Sequence, residues 1–382
     1  MAQNTVFAQL IKLIPRSEFQ SWVTKHEGDK RLRRLDSWTW FGALLFGQLS
    51  GHDSIRAIER VFAYQDPTMA KLGFRSVRRS TLADANGARS LKILEEGFFY
   101  TLAQAKRFAP RDAKFSGQRI LALDATLIEL CLSLSPWAQF HKDDAMVKLH
   151  TAIDVADDLP EFAVITPGKV HDLALARTLE YKRGTTLVFD RIYGEYEWMS
   201  RLSQQGVFYV TRPRTNCAFK VVKCRKTDRT RGHICDQLVR FTSWKGKRYE
   251  GYARRISYRC PDTKKRLIFI TNRFDLDTQA VCDLYKARWK VELFFKCLKQ
   301  NLKIKKFLGR SANAVKAQIL VALIAYMLVQ IWRFSQKVKI SIPDAMAVVG
   351  TLLLLKEPLS RLFGALPNSK RHPPPDQMLL PL

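Results

Sequence analysis

The chain has 382 residues, of which 47% are hydrophobic, so it can bury a large core in two or more domains, and wholesale disorder is excluded. It carries 64 Lys and Arg against 35 Asp and Glu, a formal net charge of +29. So large a positive excess usually means a polyanionic partner, most often nucleic acid. The seven Cys residues include no C-x-x-C pair, and their spacing relative to His233 matches no zinc motif, which predicts reduced thiols.

Residues 1–110 are predicted to be helical and to form a DNA-binding region. An apolar stretch at 38–49 is followed by the segment 76–86, in which Ser80 is predicted to cap a helix with two arginines just before it. Arg79 and Ser80 at a helix start suit contacts with DNA phosphates. The alternative is an ordinary capped helix in a small bundle.

From Arg119 the pattern changes to strands, and residues 111–212 are predicted to form the first part of a catalytic core. Asp124 lies in the middle of one apolar run, and Asp190 ends another. Burying an unpaired carboxylate is costly, so such a residue usually has a metal, a cation or a catalytic role. The predicted elements are strands at 120–130, 146–155 and 162–166, a helix at 172–180, a strand at 187–190, a helix at 195–203 and a strand at 207–211.

Residues 213–271 are predicted to be a β-rich, basic insertion, and residues 272–335 the second part of the core. The latter contain one helix with two stripes at helical spacing, an apolar face and a face that holds Glu292 among cations. A carboxylate in such surroundings is suited to hold a metal ion next to a phosphate group. The second stripe comprises Tyr285, Arg288, Glu292, Lys296 and Lys299.

Residues 336–382 are predicted to be a C-terminal helix and a Pro-rich tail. Helices at 314–334 and 343–355 should close the core, and the apolar runs at 319–329 and 345–355 are too short to cross a bilayer. The N-terminus has no signal-peptide pattern, so we expect a cytoplasmic protein.

The spacing Tyr285-x2-Arg288-x3-Glu292-x6-Lys299 resembles the signature of the DDE transposases of bacterial insertion sequences, in the branch called the IS-four group. The segments around Asp124 and Asp190 also look like the family's other catalytic blocks. The resemblance covers about residues 40–330. It implies an α/β fold: an RNase-H-like mixed-sheet core with a β-rich insertion, an all-α N-terminal DNA-binding region and C-terminal helices.

The resemblance also implies that Asp124, Asp190 and Glu292 are catalytic and hold two Mg²⁺ or Mn²⁺ ions, with Asp124 bridging both. Carboxylate oxygens favour these ions over zinc. An aromatic ring such as that of Trp289 could also stack on an unpaired base. The residues expected to bind DNA are Tyr285, Arg288, Lys299, Trp289, Arg79, Ser80, Lys305 and Lys306.

These expectations describe a bacterial, nucleoid-associated transposase. It should bind the terminal inverted repeats of its element, cut double-stranded DNA and join the 3′ ends to target DNA, as a homodimer on paired ends and without a membrane. One alternative is an RNase-H-like nuclease or resolvase, which would form no joined product. The other is a DNA-binding relic with a dead site, which would show no metal-dependent nicking.

Overall fold

The computed structural model describes residues 4–30, 34–115, 117–130, 136–140, 145–260, 263–300, 302, 304 and 307–364. Within them the chain divides into two compact units. One, the helical unit, contains the residues up to Pro110, Leu127–Val147 and the described residues from Phe294 onward; the other, the sheet unit, contains Arg111–Thr126 and Lys148–Leu293. The predictions for Lys305, Lys306 and the Pro-rich tail lie outside the described residues.

The helical unit has the predicted N-terminal and C-terminal helices. Among them α12, Ala312–Ser335, packs against α3 and α7. It is long and apolar enough to cross a membrane, but 94% of its most apolar window is buried inside the protein. The other helices are α1 Val6–Ile11, α2 Arg16–Lys25, α3 Ser37–Ser50, α4 Ile55–Tyr64, α5 Asp66–Lys71, α6 Arg79–Ala88, α7 Lys92–Phe108, α13 Ile342–Leu352 and α14 Leu359–Gly364.

Two helical glycines should respond in opposite ways to replacement by Ala. A methyl group on Gly42 in α3 would overlap the ring of Phe74, so Gly42→Ala should lower the free energy of unfolding by about 1–3 kcal/mol. A methyl group on Gly87 in α6 would only touch Ser311 Oγ at 3.8 Å, so Gly87→Ala should raise it by about 0.5 kcal/mol through helix propensity. Urea denaturation of both variants measures the two signs. Equal effects would contradict the close packing at Gly42.

The prediction that Ser80 caps a helix is wrong. Helix α6 begins at Arg79 with Arg78 as its N-cap, and the Arg78 side chain makes no capping hydrogen bond. Instead, Glu59 Oε1 from α4 accepts a hydrogen bond from the Arg79 backbone N–H at 2.9 Å. Because a carboxylate from a neighbouring helix supplies the acceptor, the helix starts two residues before the position that the hydroxyl indicated. Ser80 lies exposed in its first turn.

A nine-stranded sheet runs through the rest of the chain in the order β3-β2-β1-β4-β5-β9-β8-β7-β6. Strands β1, β4 and β5 are parallel, and β9 pairs antiparallel with β5. The first five strands have the RNase-H-like order, which confirms the predicted fold class. The strands are β1 Ile120–Leu130, β2 Ala145–Asp154, β3 Leu159–Pro167, β4 Thr186–Val188, β5 Phe208–Thr211, β6 Phe219–Cys224, β7 His233–Phe241, β8 Ala253–Arg259 and β9 Arg266–Thr271.

The β-rich insertion extends the core sheet. Strands β6 to β9 form an antiparallel meander whose last strand joins β5, with Val210 opposite Thr271. Helices α8 Asp172–Ala176 and α9 Tyr196–Gln204 lie between the core strands in sequence, near the predicted places, although α8 ends four residues early. Helices α10 Thr278–Ala287 and α11 Trp289–Gln300 follow β9.

A fully buried ion pair connects the insertion to the start of α10. The guanidinium of Arg254 on β8 donates to both carboxylate oxygens of Asp236 on β7, at 2.9 and 2.6 Å. It also donates to the carbonyl oxygens of Arg273 and Leu276, just before α10. Thr278 Oγ1 donates to Asp236 Oδ2 at 2.9 Å. The pair therefore fixes the direction in which the chain enters α10.

Candidate active site

Two of the three predicted acids meet through the parallel pairing of β1 and β4. Ala122 is paired with Val188, and Asp124 and Asp190 each lie two residues further along the chain. Neighbouring strands are about 4.8 Å apart, so this register brings the two residues close together, and the charge of Asp190 acts on Asp124. Strand β4 ends at Val188, so Asp190 stands just beyond the carboxyl end of the strand.

Both carboxyl groups are held in surroundings that disfavour their charge. Burial raises the pKa of Asp124 to about 7; Arg288 opposes this, and Asp190 and Glu292 add to it. Burial also raises the pKa of Asp190. Asp124 Oδ1 accepts a backbone hydrogen bond from Ala125 and Asp190 Oδ1 accepts one from Ile192, both at 2.8 Å. Buried acids whose negative charges act on one another are typical of a functional site.

The third acid, Glu292, lies in the first turn of α11. The predicted single helix is in fact two, because the chain tightens at Arg288 between α10 and α11. Hydrogen bonds from Arg288 N to Tyr285 O and from Val291 N to Arg288 O, at 3.1 and 3.2 Å, span three residues instead of four. Side-chain periodicity could not reveal this, since Arg288 keeps helical dihedral angles.

Arg288 lies between two of the acids. Its Nη2 donates to Glu292 Oε1 at 2.5 Å, and its Nη1 is 3.7 Å from Asp124 Oδ2. The three side chains are 17%, 23% and 22% exposed, so the cation is partly withdrawn from water together with its partners. Arg288 is therefore in direct ion-pair contact with two of the three acids.

Tyr285 extends the cluster towards the insertion. Its ring packs on Phe269 of β9 with centroids 4.8 Å apart, and the Arg288 guanidinium lies 5.6 Å from the Tyr285 ring centre. Burial raises the pKa of Tyr285, while the charges of Arg288 and Arg212 oppose the shift. Two of the predicted DNA contacts, Tyr285 and Arg288, therefore sit beside the acids.

Lys290 anchors the beginning of α11. Its Nζ donates to the carbonyl oxygen of Val155 at 2.7 Å and pairs with Asp158 at 2.6 Å, in the turn between β2 and β3. The ammonium group also lies 5.8 Å from the centre of the Phe115 ring. Because Lys290 is two residues from Glu292, these contacts fix the turn of helix that carries the third acid.

Sequence reasoning missed a fourth carboxylate, Asp172, at the start of α8. The negative charge of Asp172 raises the pKa of Asp190 further. Asp172 pairs with Lys148 at 2.7 Å, and Lys148 Nζ also donates to the carbonyl oxygen of Val170 at 2.8 Å. Both side chains are largely buried, 16% and 12% exposed. The signal in the sequence that could have indicated this pair is the two motifs Lys148-x-His and Val170-His-Asp172.

The two histidines of these motifs, His150 and His171, have structural roles. His150 is 3% exposed, shares a hydrogen bond of 2.9 Å with Thr166 Oγ1 and lies 3.9 Å from Asp172. Burial lowers the pKa of His150 to about 4, so it is neutral. His171 caps α8 by accepting a hydrogen bond from the Leu173 N–H.

The remaining predicted DNA contacts are spread over several elements. Trp289 opens α11 and is half-buried, and Lys299 lies in the last turn of the same helix. Lys299, Arg79 and Ser80 belong to the helical unit, whereas the three acids belong to the sheet unit. Lys305 and Lys306 fall outside the described residues.

The donor set fits a divalent ion by its chemistry. Asp124, Asp190 and Glu292 offer only carboxylate oxygens, which Mg²⁺ and Mn²⁺ prefer. As placed, no three His, Cys, Asp or Glu side chains in the described part of the chain converge as a ready-made metal site. Arg288 instead holds Glu292.

Comparison with known proteins assigns this arrangement to a family. The family model of the transposase DDE domain matches residues 115–328, more than half of the chain and all three acids. The chain belongs to the DDE transposase family. It is therefore a DNA transposase, of a DNA-cleaving enzyme family that generally uses a divalent metal. Residues 2–75 of the transposase match a second family, described only as a domain of unknown function.

Relatives of the transposase carry the same designation. A protein of Sinorhizobium fredii named transposase y4zB is 34% identical over 255 residues, 65% of this chain and 70% of that protein. A protein of Geobacillus stearothermophilus, named as a transposase for insertion sequence element IS5377, is 28% identical over 250 residues, 62% of each chain. The cryo-EM structure of the piggyBac transposase synaptic complex with hairpin DNA aligns over 96% of this chain and 83% of that one, with 12% identity and a TM-score of 0.45.

The buried carboxylate of Asp124 should lower the free energy of unfolding of the metal-free transposase at high pH. A raised pKa means that the protonated form stabilises the fold below about pH 4, and this contribution is lost as the pH rises to about 7. Asp124→Asn lacks the charge, so its advantage over wild type should grow from pH 5 to pH 8, to about 1 kcal/mol or more. Urea denaturation with EDTA measures this. A constant difference would contradict it.

Proposed function

We propose that this transposase binds the terminal inverted repeats of its own insertion sequence, cleaves DNA there as an endonuclease and joins the 3′ ends to target DNA. The observation that supports this most is that Asp124 on β1 and Asp190, just beyond the end of the parallel strand β4, lie close together, and that Arg288 contacts both Asp124 and Glu292. The net charge of +29 suits a protein that grips long stretches of phosphate backbone.

In this proposal Asp124, Asp190 and Glu292 are the catalytic residues and would hold two Mg²⁺ or Mn²⁺ ions. When bound, such ions lower the pKa of an attacking water or 3′-OH and stabilise the leaving oxygen. In the joining step, the 3′ oxygen attacks a target phosphorus, and the target strand's 3′ oxygen leaves. The spacing of Tyr285, Arg288, Glu292 and Lys299 supports membership of the IS-four group.

The cationic residues would place the DNA. Arg288 offers a planar fork to phosphate oxygens, whereas Lys299 offers a point charge. Tyr285 would contact the same backbone, and Trp289 would stack on an exposed base. The N-terminal region 1–110, through Arg79 and Ser80, and the lysines Lys305 and Lys306 would bind flanking duplex. Joining both ends of one element implies a homodimer on paired ends.

The decisive experiment follows the products made from a labelled duplex that carries the element's end. The transposase is incubated with Mg²⁺, this duplex and a supercoiled target plasmid. We expect a new 3′-OH at the end and a product in which this end is covalently joined to the plasmid. Cleavage without joining would favour the RNase-H-like nuclease, and binding without cleavage on paired ends would favour the DNA-binding relic.

A further inference from the structure

We propose that Arg288 is an exchangeable counter-ion of the acid cluster: it competes with the divalent ion for Glu292 and Asp124, and a DNA phosphate draws it away. Binding of metal and binding of DNA would then strengthen each other. This inference rests on the proposed function, because it takes the three acids as the metal ligands.

The competition follows from where the guanidinium lies. Nη2 of Arg288 is 2.5 Å from Glu292 Oε1, and Nη1 is 3.7 Å from Asp124 Oδ2. A Mg²⁺ ion needs carboxylate oxygens at about 2.0–2.1 Å in a strict octahedral geometry. A cation that already holds one of these oxygens, in a partly desolvated site, repels the incoming ion and occupies its ligand. A metal ion could therefore coordinate Glu292 only after the ion pair between Arg288 and Glu292 has broken.

Arg288 is also equipped to move to a phosphate. Its Nε–H is buried and has no hydrogen-bond acceptor within the described part of the structure. A phosphate can accept two parallel hydrogen bonds from the guanidinium. Transfer of Arg288 from Glu292 to DNA therefore replaces the lost bond and satisfies a further donor.

Reciprocal coupling is the functional consequence. If a phosphate frees Glu292, the affinity for the divalent ion rises; by linkage, the bound ion raises the affinity for DNA by the same factor. Couplings of this kind are typically about 5- to 150-fold. The transposase would thus load its metals mainly when a DNA end is in place, which limits cleavage elsewhere.

The test measures Mn²⁺ binding to the full-length, DNA-free protein by EPR titration. Arg288→Met and Arg288→Gln remove the guanidinium, and both should bind Mn²⁺ at least about 5-fold more tightly than wild type. Arg288→Lys retains the positive charge and should stay close to wild type. Arg212→Met is the matched control, since Arg212 is a nearby cation whose charge acts on Tyr285. It should change the affinity by less than about 2-fold.

Unchanged or weaker Mn²⁺ binding by both Arg288→Met and Arg288→Gln would overturn the inference, and would mean that Arg288 only orients Glu292. Glu292→Gln tests the underlying site. If its Mn²⁺ affinity equals that of wild type, or if neither wild type nor the Arg288 variants bind Mn²⁺, the proposed metal site itself fails. Circular dichroism establishes that each variant is folded.

The second measurement repeats the titrations with a duplex that carries the element's end. In wild type the duplex should tighten Mn²⁺ binding, and in Arg288→Met the gain should be smaller by at least about 5-fold, because no guanidinium remains to be released. Equal gains in both proteins would overturn the coupling.

Discussion

Glu292→Gln is expected to lower the rate of DNA strand cleavage by at least about 1,000-fold, equivalent to about 4 kcal/mol in the activation barrier. The substitution keeps the size of the side chain and removes the charge that a metal ligand and the Arg288 pair require. Binding of the element's end should survive, because no positive charge is lost. The measurement compares single-turnover cleavage of a labelled duplex with its binding in a gel-shift assay.

The matched control is another carboxylate on the same pair of helices. Asp283 on α10 pairs with Lys114 at 2.7 Å and accepts a hydrogen bond from Gln279. Asp283→Asn should leave cleavage within about 3-fold of wild type, because a half-exposed ion pair contributes only about 0–1 kcal/mol. If Glu292→Gln cleaves as fast as Asp283→Asn, Glu292 is not a catalytic residue.

Arg254→Met should lower the free energy of unfolding by about 3–5 kcal/mol. The substitution leaves the carboxylate of Asp236, which is 2% exposed, without its charged partner inside the protein. It also removes the donors that serve the carbonyl oxygens of Arg273 and Leu276 before α10. The midpoint and slope of urea denaturation, followed by circular dichroism, give the change.

An exposed ion pair in the same insertion provides the comparison. Arg231 lies 3.3 Å from Asp228, and the two side chains are 68% and 47% exposed. Arg231→Met should leave the free energy of unfolding close to that of wild type, because water screens this pair. A similar loss of unfolding free energy in Arg231→Met and Arg254→Met would mean that burial does not determine how much each ion pair stabilises the fold.

Since the Arg254 pair fixes the start of α10, Arg254→Met should also weaken cleavage.

Residues close together in sequence were sufficient to predict most of the sheet. The apolar run at Ile120–Leu130 was predicted at its observed bounds, because side-chain alternation and the cost of burying a lone Asp124 are local properties. The RNase-H-like order follows from strands and helices that alternate in sequence, since parallel strands need a crossover. The roles of Asp124, Asp190 and Glu292 remain predictions that the experiments above address.

Contacts between distant residues escaped prediction. The N-cap of α6 depends on Glu59, which lies twenty residues before Arg79. The extension of the core sheet by the insertion depends on Val210 meeting Thr271. The sequence near Arg79 does not show that Glu59 will contact it, and the sequence near Val210 does not show that Thr271 will pair with it. In such cases tertiary packing overrides the preference of the local sequence.

The sequence by itself determined which carboxylates lie in apolar strands, and its resemblance to the Tyr-Arg-Glu-Lys signature predicted that the chain belongs with the DDE transposases. Only the tertiary structure decided what surrounds these acids. The contact of Arg288 with Asp124 and the Asp172–Lys148 pair near Asp190 arise from side chains that meet across separate elements. Their energies depend on distance and burial, which spacing along a chain does not specify.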